Sequence, residues 1–229
     1  MSQQVHQMFS QIAPRYDATN DVLSLGVHRL WRREAVRRSG AKAGDHVLDC
    51  ATGTGDLALA FKRVVGPSGR VVGTDFNADM LSHAPKKAKD AGLDVTFEVA
   101  DVMKLPYDDC AFDVASIAFG IRNVDEPKQG VSELARVVRS RGRVVVLEFG
   151  QPGGLFGAAY RPYARFVMPR IGQLLTGSRE AYEYLPSTAA AFPSGEQFLT
   201  LMRATDRFAE VEAHPLMSAL AWIYVGTVR

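Results

Sequence analysis

Cysteine is nearly absent from the 229 residues, Cys50 and Cys110 being the two. Two thiols cannot build a disulfide framework. Cys50 sits in an apolar run as a small hydrophobe would, so the composition points to a reducing cytoplasm. Long apolar runs are missing as well. None reaches the roughly 20 residues that span a bilayer, and the opening MSQQVHQMFS lacks the apolar segment of a secretion signal. Neither sign of charge dominates: 27 Lys and Arg stand against 25 Asp and Glu, a net charge of +2. That balance makes no field strong enough to recommend nucleic acid as a partner. The histidines (His6, His28, His46, His83 and His214) are too dispersed for a metal site. No internal repeat or low-complexity tract divides the chain, and nothing in it sets an oligomeric state.

What is present is the material of one soluble domain. Hydrophobic residues make up 47% and charged residues 23%, enough to bury a sizeable core. From residue 45 the chain alternates β-rich runs with helical stretches. DHVLDCA, RVVGTD, VTFEVA, FDVASIAF and GRVVVLEFG read as strands, the last two apolar almost throughout, as in a sheet covered on both faces. GDLALAFKRVVG reads as a helix ended by glycine, and NADMLSHAPKKAKDAG as another, with Asn77 as cap and Gly92 as stop. EPKQGVSELARVVR carries Val131, Leu134, Ala135 and Val138 at helical spacing. Such alternation implies an α/β fold: a Rossmann-like, mostly parallel sheet with helices on both faces and right-handed crossovers. After Gly150 the regime changes. LFGAAYRPYARFVMPRIGQLL is aromatic and basic, with prolines that break any single helix. SGEQFLTLMRAT is a helix, and FAEVEAHPL with SALAWIYVGTV form two terminal β runs, which suits a seven-stranded sheet with a reversed last strand. The organisation is one domain: a helical lid over 1–40, a cofactor core over 41–150, a helical insertion over 151–192, and a terminal helix and hairpin over 193–229.

DHVLDCA runs straight into TGTGDLA, where Gly53, Gly55 and Ala58 fit the G-x-G-x-x-G/A turn between a first strand and its helix. Glycine allows the tight turn and the close approach of a ligand to the backbone. The next strand ends in Asp75, placed to accept both hydroxyls of a ribose. A dinucleotide brings a pyrophosphate and wants bare amides at a helix N-terminus. Asp49 and Asp56 beside this loop would repel it, and both suit a ligand carrying an ammonium and a sulfonium. Asp101 ends the following strand. Three acids at three successive strand ends favour S-adenosylmethionine.

With those residues in view, the chain resembles the ubiquinone/menaquinone C-methyltransferases over nearly its whole length. Tyr16-Asp17, Asn20, Ser24, His28 and Trp31 stand at the family's spacing, with Thr19 where methionine is usual. DCATGTGDLAL, FGIRNVDEP, VLEF and MPRIGQLL also match. A second signature is degraded to Arg136-Val137-Val138-Arg139-Ser140-Arg141-Gly142, and Gly150 replaces a serine, a change expected to touch the substrate pocket. The resemblance implies a class I methyltransferase fold. It also implies that Thr54, Asp75, Asp101, Val102 and Ala118 line the cofactor site with Gly53 and Gly55. The acceptor it implies is a lipophilic quinol ring carrying a polyprenyl tail, demethylmenaquinol or a ubiquinone-pathway precursor.

Methyl transfer to a ring carbon needs an ionised ring hydroxyl, alignment of carbon, methyl and sulfur, exclusion of water, and removal of a proton. No metal is required. Arg122 is the first catalytic candidate, to stabilise a developing phenolate or orient a water, against a structural role pairing Asp125 or Glu126. A guanidinium itself stays protonated and is no base. His28 has a suitable unperturbed pKa, and Tyr16 could bond to the ring oxygen or cover the cofactor. Glu148 is a further candidate base, while Asp17 and Asn20 read as turn and capping residues. Arg29, Arg32, Arg33, Arg37 and Arg38 surround Trp31, and Arg161, Arg165 and Arg170 fall among aromatics of the insertion. Together they make a candidate surface for peripheral contact with an anionic membrane, on the inner face of the cell membrane of a cytoplasmic protein. Three readings compete: the same cofactor with a phospholipid amine or soluble natural product as acceptor, a non-catalytic subunit with the cofactor fold, and an NAD-dependent oxidoreductase. The spacing of Leu23, Val27, Leu30 and Trp31 predicts that the lid packs one face on the sheet domain.

Overall fold

The computed structural model describes residues 3–229. Seven strands form one sheet: β1 His46–Cys50, β2 Arg70–Asp75, β3 Thr96–Val99, β4 Phe112–Ala118, β5 Val138–Phe149, β6 Phe208–Leu216 and β7 Ala221–Val228. Their order is β3-β2-β1-β4-β5-β7-β6. All pairings from β3 to β5 are parallel, and β7 runs antiparallel to both β5 and β6. This is the mostly parallel sheet with a reversed terminal strand that the alternation implied. Strand order reverses between β1 and β4, and such a switch point opens a crevice at the carboxyl ends of the strands.

Because side chains alternate along a strand, β5 fills two cores at once. Val144 and Val146 pack with Leu134 of α7 (Pro127–Arg136) and Phe198 and Met202 of α11 (Glu196–Arg203). Val145 and Leu147 face the other way, onto Trp31 and Ala35 of α3 (Val27–Ser39). Beside them, α4 (Asp56–Val65) buries Leu57, Ala58, Phe61 and Val65 on β1 and β2. Helices on both faces explain why these strands are apolar throughout.

Several local expectations are corrected. The segment from Tyr16 to Trp31 is two helices: α2 (Tyr16–Ser24) ends at Leu25 in the left-handed conformation, φ 50°, and α3 starts after Gly26, φ 73°. Trp31 is buried and Val27 packs beside it, while Leu23 joins a separate cluster with Met168 and Tyr182. Leu30 does not pack; it is 59% exposed. The stretch after Asn77 is likewise two short helices, α5 (Ala78–Leu81) and α6 (Ala84–Asp90), divided just before Pro85. Asn77 caps the first, its side chain accepting from the backbone N–H groups of Asp79 and Met80.

The prolines of the insertion do not break its helix. The path runs from α8 (Gly154–Pro162) through a π turn, Tyr163–Val167, into α9 (Met168–Thr176). The wider turn falls between Pro162, at the end of α8, and Pro169, in the first turn of α9, where a missing N–H donor is tolerated. A further helix, α10 (Glu180–Ala191), follows within the helical insertion. With α1 (Gln3–Ile12), these elements roof the carboxyl ends of β4 and β5; Met8 and Ile12 pack on Met168 and Tyr182. Among the described residues no helix is long and apolar enough to cross a membrane.

Candidate active site

Two hollows meet at the switch point. The smaller is a slot of about 40 Å³ between the ends of β2, β3 and β4, lined by Asp75, Phe76, Asp101, Val102, Gly120 and Asn123 among others. The Asp75 carboxylate accepts the Gly53 N–H at 2.8 Å through Oδ2 and the Asn77 N–H at 2.8 Å through Oδ1. Two bonds leave about two of its four lone-pair positions for a ligand. Burial pushes its carboxyl up, and the backbone bonds pull the other way. Asp101 caps its own turn through Oδ1, which accepts the Met103 N–H at 2.9 Å; Oδ2 has no hydrogen bond among the described residues. The turn role and the ligand role can therefore coexist on one carboxylate. Gly55, at φ 88°, caps α4, and a Cβ there would press on Ala84 and Phe97 at 3.1–3.2 Å.

Four sequence expectations change here. Thr54 does not face the slot: its hydroxyl donates to Asp17 Oδ1 at 2.6 Å. Asp17 is therefore not a turn residue but a clamp, since its other oxygen pairs with Lys87 at 2.5 Å. Asp56 pairs with the same Lys87 and lies 3.6 Å from Arg32, so it belongs to an outward-facing cleft and not to the ligand side of the loop. Ala118 ends β4 and packs between two cores without lining the slot. Asp49 keeps its place under the loop. It is 1% exposed, accepts from Thr52 and Ser116 hydroxyls at 2.7 Å each, and burial pushes its pKa up to about 6.

The larger hollow holds about 500 Å³ between the lid helices, the insertion helices and the ends of β4 and β5. Its floor is aromatic. Phe119 packs on Phe149 at 4.5 Å between centroids with the rings tilted by 33°, and Trp31 stands edge-on to Phe149. Phe119 holds a left-handed backbone, φ 56°, while its N–H donates to Leu147 O at 2.7 Å. Such strain in a non-glycine residue is concentrated at functional positions.

Arg122 rises from a 3₁₀ turn, Ile121–Asn123, directly after β4. The acid that holds it is Glu148, at the end of β5. Arg122 Nη1 donates to Glu148 Oε1 at 2.8 Å and to the Phe119 carbonyl at 2.5 Å, and its Nε has no hydrogen bond. The two side chains are 2% and 1% exposed. Glu148 also accepts the backbone N–H groups of Arg122 and Phe149. It is thus the anchor of Arg122, not a free base. The guanidinium lies over the Phe149 ring at 5.4 Å and lines the cavity.

Tyr16, Asn20, His28 and Arg32 line the same cavity. Burial raises the Tyr16 phenol, while Arg32 and Arg122 both act to lower it, which puts two cations on one phenol. His28 is buried, and burial, then Arg32, lowers its pKa against the pull of Asp21. The Arg32 guanidinium can only donate, so His28 Nδ1 accepts from it and Nε2–H donates to Asp21 Oδ1 at 2.8 Å. Both ring nitrogens are engaged. Gly150 does not line the cavity; a Cβ there would lie 2.5 Å from the Trp222 ring and 2.6 Å from the Ala219 carbonyl. Its missing side chain makes room for an indole. Asn123 and Tyr184, which the sequence reading missed, join the two hollows through a 3.0 Å bond from the Tyr184 hydroxyl to Asn123 Oδ1. The only signal for Asn123 was its place in the FGIRN segment.

The model of the ubiE/COQ5 methyltransferase family matches residues 1–227. The chain is 54% identical over 226 residues to the ubiquinone/menaquinone biosynthesis C-methyltransferase UbiE of Bdellovibrio bacteriovorus, covering 98% of this chain and 96% of that protein. It is 46% identical to the demethylmenaquinone methyltransferase of Deinococcus radiodurans, covering 99% and 93%. Among solved structures, a SAM-dependent methyltransferase from Aquifex aeolicus superposes with a TM-score of 0.64 at 18% identity, over 86% of this chain and 89% of that one.

Proposed function

The chain belongs to the ubiE/COQ5 methyltransferase family, and from that premise we propose that its apolar cavity receives a prenylated quinol ring beside Arg122. It is an S-adenosylmethionine-dependent C-methyltransferase of quinone biosynthesis. S-adenosylmethionine supplies an electrophilic methyl group on a sulfonium. Asp75 would hold its ribose and Asp101 with Val102 its adenine, while Asp49 under the glycine loop offers negative charge to its cationic end.

The observation that carries the acceptor reading is the charge of the cavity wall. Arg32 and Arg122 face it, and no Asp or Glu does. Such a wall stabilises an oxyanion and disfavours a phospholipid amine, which would want a carboxylate. Glu148 fixes the Arg122 guanidinium, whose Nη2 makes no hydrogen bond among the described residues and is left to meet the ring oxygen as it ionises. Two of the three catalytic candidates then play supporting parts. Tyr16 donates to or covers the ring oxygen beside Arg122, and His28 with Asp21 orients Arg32. With the ring oxygen ionised, the adjacent carbon would take the methyl group as its bond to sulfur breaks, releasing S-adenosylhomocysteine, and the ring-carbon proton would pass to solvent as the ring regains aromaticity, while the aromatic floor keeps water off the methyl group. A long tail exceeds this cavity and stays in lipid, so membrane contact is part of the same reading.

The test is an assay of the folded protein with demethylmenaquinol and with its ubiquinone-pathway counterpart. Methylation at the ring carbon of one or both is expected. Methylation of neither, by protein that binds S-adenosylhomocysteine, removes the acceptor assignment.

A further inference from the structure

Exposed apolar side chains are unevenly placed on this molecule. Of the twelve large ones that stand exposed among the described residues, nine lie on the lid helices, on residues 154–176 or at the tip of the β6–β7 hairpin. These are the segments that wall the large cavity. Four of the nine, Val22, Leu25, Phe156 and Met217, line the cavity itself and so form its mouth. Leu155 and Leu174 stand further out, 92% and 82% exposed.

Two of the mouth residues sit where the backbone also speaks against them. Leu25 is 89% exposed at φ 50°, and Met217 is 44% exposed at φ 44°. A left-handed, solvent-facing position suits glycine or asparagine, on both steric and hydration grounds. Large apolar residues at both positions make sense when something apolar covers them. The charge around them selects what does. Residues 154–176 contain Arg161, Arg165 and Arg170, all exposed, and no Asp or Glu. On α3, exposed Arg29 and Arg33 line a separate cleft with Asp17, Asp21 and Asp56, where Arg29 pairs with Asp21, so the unopposed cations are those of residues 154–176. Apolar side chains interleaved with arginine are the composition of a surface that enters a headgroup layer of anionic lipid.

Size gives the same answer. At about 30 Å³ per liquid-packed heavy atom, 500 Å³ holds on the order of 17 atoms, a ring system and the first unit of a tail. We propose that the cavity mouth around Leu25, Phe156 and Met217 docks into an anionic bilayer, so that the quinol ring enters the cavity while its polyprenyl tail stays in the lipid. The proposal rests on the quinol reading for its substrate, but the docking surface is tested separately.

Flotation of the full chain with vesicles of phosphatidylcholine and phosphatidylglycerol at low salt tests the surface. Wild-type protein is expected to float with them, and the L155Q/L174Q double variant to partition at least tenfold less. Leu25→Asn, compatible with its left-handed backbone, is expected to weaken flotation without loss of thermal stability. Failure of wild type to float, or undiminished flotation of all the variants, overturns the proposal. In the kinetic arm, L155Q/L174Q is expected to methylate a short-tailed, water-soluble quinol as wild type does. It should be about tenfold slower on a long-tailed quinol held in vesicles. Equal loss on both substrates, or on neither, also overturns it. If wild type methylates no quinol at all, the acceptor reading fails, and flotation alone decides the surface.

Discussion

The two hollows at the carboxyl edge of the sheet are built in opposite ways. In the slot, the polar groups are carboxylates held by backbone N–H donors, as Asp75 is by Gly53, 22 residues away in the loop after β1, and by Asn77. In the larger cavity, the wall is aromatic and aliphatic, and its few polar groups are held by other side chains, near in sequence for His28 with Arg32 and Asp21 and far for Arg122. Arg122 leans on Glu148, 26 residues away, and the lid is tied to the loop by Asp17, Thr54 and Lys87. Backbone donors fixed by the sheet and its loops are a rigid way to hold such a group. Tertiary packing can be varied to admit a different acceptor without disturbing it.

The sharpest way to break this contrast is at the buried ion pair. Arg122→Met leaves a buried carboxylate alone and should cost about 3–5 kcal/mol of stability, together with a loss of roughly 100- to 1000-fold in kcat/KM. The double variant R122M/E148Q should regain most of the melting temperature and none of the activity. Regained turnover would take Arg122 out of the chemistry. Asp75→Ala should weaken S-adenosylhomocysteine binding about 10- to 100-fold in calorimetry while leaving the acceptor KM unchanged. A matching rise in acceptor KM would show that the two hollows are not independent.

A third prediction concerns pH. The folded pKa of Asp49, about 6, lies above its ordinary value because of burial. Its protonated form therefore contributes stability that is fully present below the unfolded pKa, about 4, and lost as pH rises through about 6. Asp49→Asn should stabilise the cofactor-free protein at pH 8 by on the order of 1–3 kcal/mol. Affinity for a cationic cofactor should run the other way, rising with pH through about 6 in wild type and flat in Asp49→Asn. The smallest effect is expected at the mouth. Leu25→Asn relieves a left-handed leucine and should raise stability by about 0.5–1 kcal/mol in a denaturant titration; a drop would mean that Leu25 makes a packing contact in solution.

The slot was largely legible in the sequence because its parts are local. A glycine turn follows one strand, and acids end this strand and the next two; period-two patterning marks those ends. The bond from Thr54 to the lid was not legible, because its partner, Asp17, lies 37 residues away on another helix. Glu148 stood as a further candidate base because a carboxylate at a strand end looks the same whether it is free or bound to an arginine. The unbroken helical path through Pro162 was hidden for a different reason: a π turn is a response to packing, not to composition.

By itself, the sequence determined the strand–helix alternation, the glycine loop, the acids at the strand ends and the family. Each depends on residues close together in the chain, where φ/ψ preference and side-chain period act directly. Only the tertiary structure decided that Arg122 is anchored by Glu148, that His28 has both nitrogens engaged, and that Gly150 shelters an indole. It also decided that exposed apolar residues gather at one cavity mouth. Those outcomes follow from which surfaces meet when the lid and the insertion close over the sheet, and burial then fixes which charges must find partners.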